Sequence, residues 1–129
     1  MVRLLLAMTC LGTLASAALA ADPVEIGVGY LSRAGVKPTL SLVAQPAEND
    51  GVAGARLAIE DNNTTGKFLN QQFTLEDLRL KDGDDAAKAA VALADRNIDF
   101  IIADLPAEAL LKAADAVRDR GTVVFNAGS

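Results

Sequence analysis

The chain has 129 residues, 17 acids against 12 bases for a formal net charge of -5, one cysteine, and neither histidine nor tryptophan. A length of this order holds one small domain at most. The acidic balance argues against a basic stripe built for nucleic acid, and the lack of histidine excludes His-based triads and His-ligated metal sites.

Hydrophobic residues make up 51% of the chain but aromatics only 4%. The core must therefore be aliphatic and rich in alanine, as where helices pack on a sheet. Residues 1–20 read as a secretory signal peptide. Arg3 supplies the positive start, Leu4 to Ala15 is apolar apart from Thr9, Gly12 and Thr13, and Ala18-Leu19-Ala20 is a small-x-small cleavage motif. The apolar run is short and is soon followed by Asp22 and Glu25, unlike a membrane-spanning helix. Cys10 falls inside this segment, and Ala7 and Thr9 before it do not make a lipoprotein signal. Cleavage after Ala20 predicts an exported mature chain, 21–129, with no thiol, no disulfide and no thiolate metal site.

Val24 to Tyr30, β-branched and aromatic, reads as a first strand. Residues 31–49, with Gly35, Pro38 and Pro46, form an irregular stretch of the length that loops reach when they serve a function. Asp50 is placed to cap a helix from about Val52 to Asn62 with Val52, Ala55 and Ile59 on one face, and Thr64-Thr65-Gly66 is expected to end it. Gln72 to Leu80 partly alternates, as a strand near a sheet edge does. Lys81-Asp82-Gly83-Asp84 is turn chemistry, after which Asp84 or Asp85 caps a helix striped by Ala87, Ala90, Val91 and Ala94, with Asn97 in a left-handed closing position. Phe100 to Ala103 is wholly apolar, the pattern of a strand covered on both faces. Pro106 suits the start of a third helix, which carries Leu110, Ala113, Ala114 and Val117 on one face and ends at Gly121. Thr122 to Phe125 is a fourth strand.

The order is βαβαβαβ, which predicts an α/β, Rossmann-like parallel sheet flanked by helices on both faces with right-handed crossovers. The last strand has no covering helix after it, so residues 21–129 are expected to be part of a larger domain.

Individual motifs mostly reduce to structure. Gly27-Val28-Gly29 lacks the third glycine of a dinucleotide fingerprint, since position 32 is Ser32, and the glycines are read as letting a strand pass close to its neighbours. Gly66-Lys67 lacks the rest of a phosphate loop. Asp82, Asp84 and Asp85 lack the terminal glutamate of a calcium loop and are read as a turn and a helix cap. Glu60-Asp61 and Glu76-Asp77 read as solvated acids, and Lys88, Lys112, Arg118 and Arg120 as exposed ion-pair partners. Asn62-Asn63-Thr64 and Asn63-Thr64-Thr65 match the glycosylation acceptor pattern, which is frequent by chance. Ser32, Ser41 and Ser129 have no histidine to activate them, and there is no Gly-x-Ser-x-Gly elbow, so an enzyme is not expected.

Taken together, Ile26-Gly27-Val28-Gly29-Tyr30, Gly54-Ala55-Arg56-Leu57-Ala58-Ile59-Glu60-Asp61-Asn62-Asn63, the run from Asp84 to Asp95 leading to Ile101-Ile102-Ala103, and Gly121-Thr122-Val123-Val124-Phe125-Asn126 resemble a type I periplasmic solute-binding protein. The branch is that of the branched-chain amino-acid binding proteins of ABC importers, near a subgroup associated with PQQ-dependent alcohol oxidation. The resemblance implies a longer, two-lobed periplasmic protein that captures a small solute and delivers it to ABC permease subunits in the inner membrane, without a cofactor. On it, 21–129 would be most of the first lobe. A ligand-sensing domain of the same fold, or a small secreted hydrolase-like enzyme, are the other readings.

In this fold ligands sit at the carboxyl ends of the strands. The expected ligand-binding residues are therefore Tyr30, Leu31 and Ser32, then Asp104, Leu105, Pro106 and Ala107, then Asn126, Ala127, Gly128 and Ser129. The amino-acid binders present hydroxyls and free amides after the third and fourth strands, and after the third this chain has Leu105-Pro106-Ala107. Val43-Ala44-Gln45 is kept but the aromatic expected near Pro46 or Ala47 is not. Both departures point to a less polar or uncharged solute rather than an α-amino acid.

Overall fold

A computed structural model describes residues 22–33, 47 and 49–128. The predicted signal peptide with Cys10, most of the long loop after the first strand, and Ser129 lie outside the described residues. The elements run β1 (Val24–Arg33), α1 (Asp50–Leu69), β2 (Gln71–Leu80), α2 (Ala86–Ala94), β3 (Phe100–Asp104), α3 (Ala107–Val117), a 3-10 turn (Arg118–Arg120) and β4 (Val123–Asn126). The four strands form one sheet in the order β2-β1-β3-β4, with every pair parallel. The protein is an α/β, Rossmann-like fold, and β2 is an edge strand, as its alternation predicts.

Side chains on a strand alternate between faces, and neighbouring contacts assign each helix to its side. Asp77 pairs with Arg56 of α1, whereas the adjacent Glu76 pairs with Arg96 just beyond α2. Leu31, Ile101 and Ala103, each 0% exposed, share a core with Ala90 and Leu93 of α2 and with Ala113 and Val117 of α3. So α1 lies on one face of the sheet, and α2 with α3 on the other. The core is aliphatic and alanine-rich, as the composition requires.

Gly27 and Gly29 do what their reading requires. A Cβ on Gly27 would lie 2.8 Å from Ile98 Cδ1 and one on Gly29 would lie 3.0 Å from Leu93 Cδ1, so the glycines let the end of α2 settle on β1. Asp84 Oδ2 accepts from the Lys81 amide at 2.7 Å to close the turn, and Asp85 accepts from the amides of Ala87 and Lys88 to cap α2. Asn97 and Gly121 adopt the left-handed conformation, with φ of 58° and 75°. Lys112, Arg118 and Arg120 form exposed ion pairs with Glu108, Asp115 and Asp95. The Lys112 ammonium beside Glu108 holds that carboxyl below its usual value, first by hydrogen bonding and then by its charge.

Four local expectations are corrected. First, α1 runs to Leu69 rather than stopping at Thr64-Thr65-Gly66. Thr64 Oγ1 donates to the Asp61 carbonyl at 2.6 Å, which satisfies the hydroxyl within the helix. Gly66 is buried, with its Cα so close to β2 that a Cβ would meet the Gln71 carbonyl at 2.7 Å. The stop is Asn70, left-handed at φ 53°, whose amide donates to the Gly66 carbonyl. Second, Asn49, not Asp50, occupies the cap position of α1, with no side-chain cap bond. Third, the buried face of α2 is Ala86, Ala90 and Leu93, rotated from the predicted stripe because Leu93 must reach β1. Fourth, among the described residues β3 is fully buried on one face only. Ile101 and Ala103 are buried, but Phe100 remains 36% exposed and stacks on Phe125, ring centroids 6.4 Å apart, because α1 lies over β1 and β2. Among the described residues no helix is long and apolar enough to cross a membrane.

Candidate functional site

The strand order places the site. From β1 the chain moves to β2 on one side, and from β2 it returns past β1 to β3 on the other. The sheet order therefore reverses between β1 and β3. The segments leaving their carboxyl ends run to helices on opposite faces, which opens a crevice at the switch point.

Tyr30 and Asp104 stand at that crevice. Tyr30 pairs in register with Ile102, and Ser32 with Asp104, so the Tyr30 and Asp104 side chains lie on the same face, two residues apart along the strands. The Tyr30 hydroxyl donates to Asp104 Oδ2 at 3.3 Å, long for a bond of this type. Tyr30 is buried, at 4% exposed, while Asp104 is half-buried. Burial, then the negative charge of Asp104 and the hydrogen bond to it, raise the Tyr30 phenol above its ordinary value of 10.0, with Asp77 adding to the effect.

Gly51, in the first turn of α1, closes over the phenol. A Cβ there would lie 1.9 Å from the Tyr30 hydroxyl. Glycine inside a helix costs about 0.5–1 kcal/mol relative to alanine, so at this position it marks the close approach of the helix start to the ring. That local cost is the one sequence signal that could have added Gly51 to the expected residues.

The remaining expected residues divide by what their side chains face. Leu31 and Leu105 belong to the core and reach the edge through their backbone alone. Pro106 caps the start of α3, its carbonyl accepting from Leu110 at 2.9 Å, with Ala107 exposed beside it. At the end of β4 the Ala127 amide donates to the Ala103 carbonyl at 2.9 Å, and the Gly128 amide donates to Asn126 Oδ1 at 3.0 Å. Gly128 packs so closely on Leu105 that a Cβ would meet its carbonyl at 2.8 Å. The structure thus brings the residues after β3 and those after β4 together, with Tyr30 and Ser32 alongside. Ser129 lies outside the described residues.

Arg33, at the end of β1, is engaged with the turn that follows β2. Its guanidinium donates to the carbonyls of Lys81 and Asp84 at 2.8 and 2.7 Å and fastens the turn before α2. Among the described residues no group of histidine, cysteine, aspartate and glutamate is arranged to hold a metal ion. A cavity of about 460 Å3 lined by Pro23, Asn63, Lys67, Asn70, Gln71 and Gln72 lies at the amino ends of β1 and β2, the opposite end of the sheet. Asn63 there is occupied in clasping β2: its amide donates to the Phe73 carbonyl at 2.9 Å and accepts from the Phe73 amide at 2.7 Å. In comparisons with known proteins, no family model matches the chain and no curated protein matches it significantly.

Proposed function

We propose that the chain is one lobe of a periplasmic substrate-binding component of an ABC importer, which captures a small solute and delivers it to permease subunits in the inner membrane. The observation that supports this reading is the position of Tyr30 and Asp104, a hydrogen-bonded polar pair at the switch point of a parallel sheet, where open α/β folds bind ligands. In this mechanism no bond is made or broken. Ligand contacts formed only when a second lobe closes over the edge stabilise the closed state, and that differential affinity drives the closure. Asp104 accepts hydrogen bonds from the solute, Tyr30 orients Asp104, and Gly51 holds Tyr30 in place.

The experiment is to recover the protein from the periplasm of its host, measure its intact mass, and screen it by thermal shift against a library of small solutes. A ligand present at a hundredfold over its Kd stabilises the folded state by about 2.7 kcal/mol. A mass well above that of residues 21–129, with a concentration-dependent rise in Tm for at least one solute, is expected. A mass equal to that of residues 21–129, or no shift across the library, overturns the two-lobed capture mechanism.

A further inference from the structure

Helix α1 turns apolar side chains to solvent as well as to the sheet. Ala55 and Gly66 are buried, and Val52, Ile59 and Asn63 half-buried, which sets its inward face. At about 100° per residue, Leu57 and Phe68 project from the opposite face, where they are 60% and 89% exposed. Single surface hydrophobics need no account. These two, however, are eleven residues apart, close to three full turns, so they stand in line about 16 Å apart along the helix axis.

That spacing is self-complementary. When two copies of α1 lie antiparallel about a two-fold axis passing between Asn62 and Asn63, Leu57 of each copy stands opposite Phe68 of the other, and Asp61 opposite Thr64. Gly54, one turn before Leu57, has open space where a side chain would be, a hollow that receives the second copy's ring. The flanking charges agree with this arrangement. Among the described residues Glu60 and Lys67 form no ion pair, whereas Arg56, Arg96, Lys112, Arg118 and Arg120 are each paired within the chain. In the antiparallel pair, Glu60 of one copy comes alongside Lys67 of the other, and the two-fold axis repeats the contact. Asp61 approaches its own copy near the axis, and that like-charge contact limits the affinity.

We propose that the outer face of α1 is a self-association surface, on which two copies of this protein pair antiparallel through Leu57 and Phe68, with Glu60 and Lys67 setting the register. The inference is independent of ligand capture, because this face points away from the sheet. The 20 residues of α1 span about 30 Å. One helix pair of that length buries less than the roughly 1,200 Å2 at which standard interfaces begin, so the dimer is weak, with a Kd of about 10–100 µM.

Sedimentation velocity of the protein as recovered from its host, from about 1 to 200 µM, reads the association directly. A shift with concentration from the mass of one chain toward twice that mass is expected. Phe68→Glu alters a side chain that already lies in water, so the fold is kept and the dimer should weaken at least tenfold. Lys67→Glu should weaken it at least threefold, and adding Glu60→Lys to that variant should restore it to within twofold of the unaltered protein, a rescue that the antiparallel register requires. The mass of one chain at every concentration overturns the proposal. So does a dimer indifferent to Phe68→Glu, which would place the contact on another surface, or a charge swap that brings no rescue.

Discussion

Tyr30 is the only tyrosine in a chain without tryptophan, so its ionisation can be read without interference. Burial and the Asp104 carboxylate both disfavour the phenolate, raising the folded-state value above 10.0. In an ultraviolet titration the folded protein should therefore ionise at higher pH than the same protein in urea, where the phenol is expected near 10. The linkage follows with a definite sign. The folded state holds its proton more tightly, so the stability contribution is fully present below the unfolded value and is lost as pH rises through the folded one. Tyr30→Phe should remove this alkaline loss. Coincident titrations of folded and unfolded protein would show that the phenol is not enclosed between Gly51 and Asp104.

Gly51→Ala tests the same contact from the other side. A methyl group there lies 1.9 Å from the phenol oxygen, so the ring or the helix start must move. A strain of about 1–3 kcal/mol is expected, read as a lower urea midpoint with an unchanged slope. An open helix surface would instead give a small gain, since alanine is the better helix former. The sign of the change therefore decides between the two.

Among the elements, the sequence makes kinds and order plain but is a weaker guide to limits and faces. Among the described residues, periodicity identifies all three α-helices, and alternation identifies β2 as an edge strand. Signals that act within one turn, such as Asp85 as a cap and Asn97 and Gly121 in left-handed positions, are legible because their physics is local. Thr64-Thr65-Gly66 looks like a stop, but whether it is one depends on a contact ten residues or less away in sequence that only the folded chain makes. Asn63 clasps both backbone groups of Phe73, and Gly66 lies against Gln71, so the helix is held against β2 through the predicted break. Asn63→Ala removes both bonds to the edge strand and should lower stability by about 1–3 kcal/mol. Hydrogen exchange of the Phe73 amide should rise in the variant even where global stability is nearly kept. Asp85→Ala, which loses only a cap, is expected to cost about 1 kcal/mol, confined in exchange experiments to the start of α2.

At the scale of the whole molecule, Tyr30, Ser32, Asp104 and the segments after β3 and β4 were legible as an edge because parallel α/β topology fixes which ends of the strands converge. Their pairing was not, because it depends on register, which a sequence without a hairpin turn leaves open. The open side of β3 and β4 was hidden for a related reason: an apolar strand has the same sequence whether one face is covered or two. Phe100, Val123 and Phe125 are 36%, 45% and 52% exposed on the face that carries α1, whereas Val124 packs against the core on the other. A contiguous apolar stripe of this kind binds hydrophobic dyes, and the described residues should show anilinonaphthalene sulfonate fluorescence in the native state at neutral pH. Phe125→Ser should reduce that fluorescence by half or more. Its cost in stability should be small, about 1 kcal/mol for the lost stacking on Phe100, because half of the ring is already in water. Ile101→Ala changes a residue of the same sheet that is 0% exposed, on the covered face, and should cost about 2–5 kcal/mol without altering dye binding to the folded protein. Equal costs for the two substitutions would mean that both faces are buried in solution, in which case the stripe is covered in the protein as it exists.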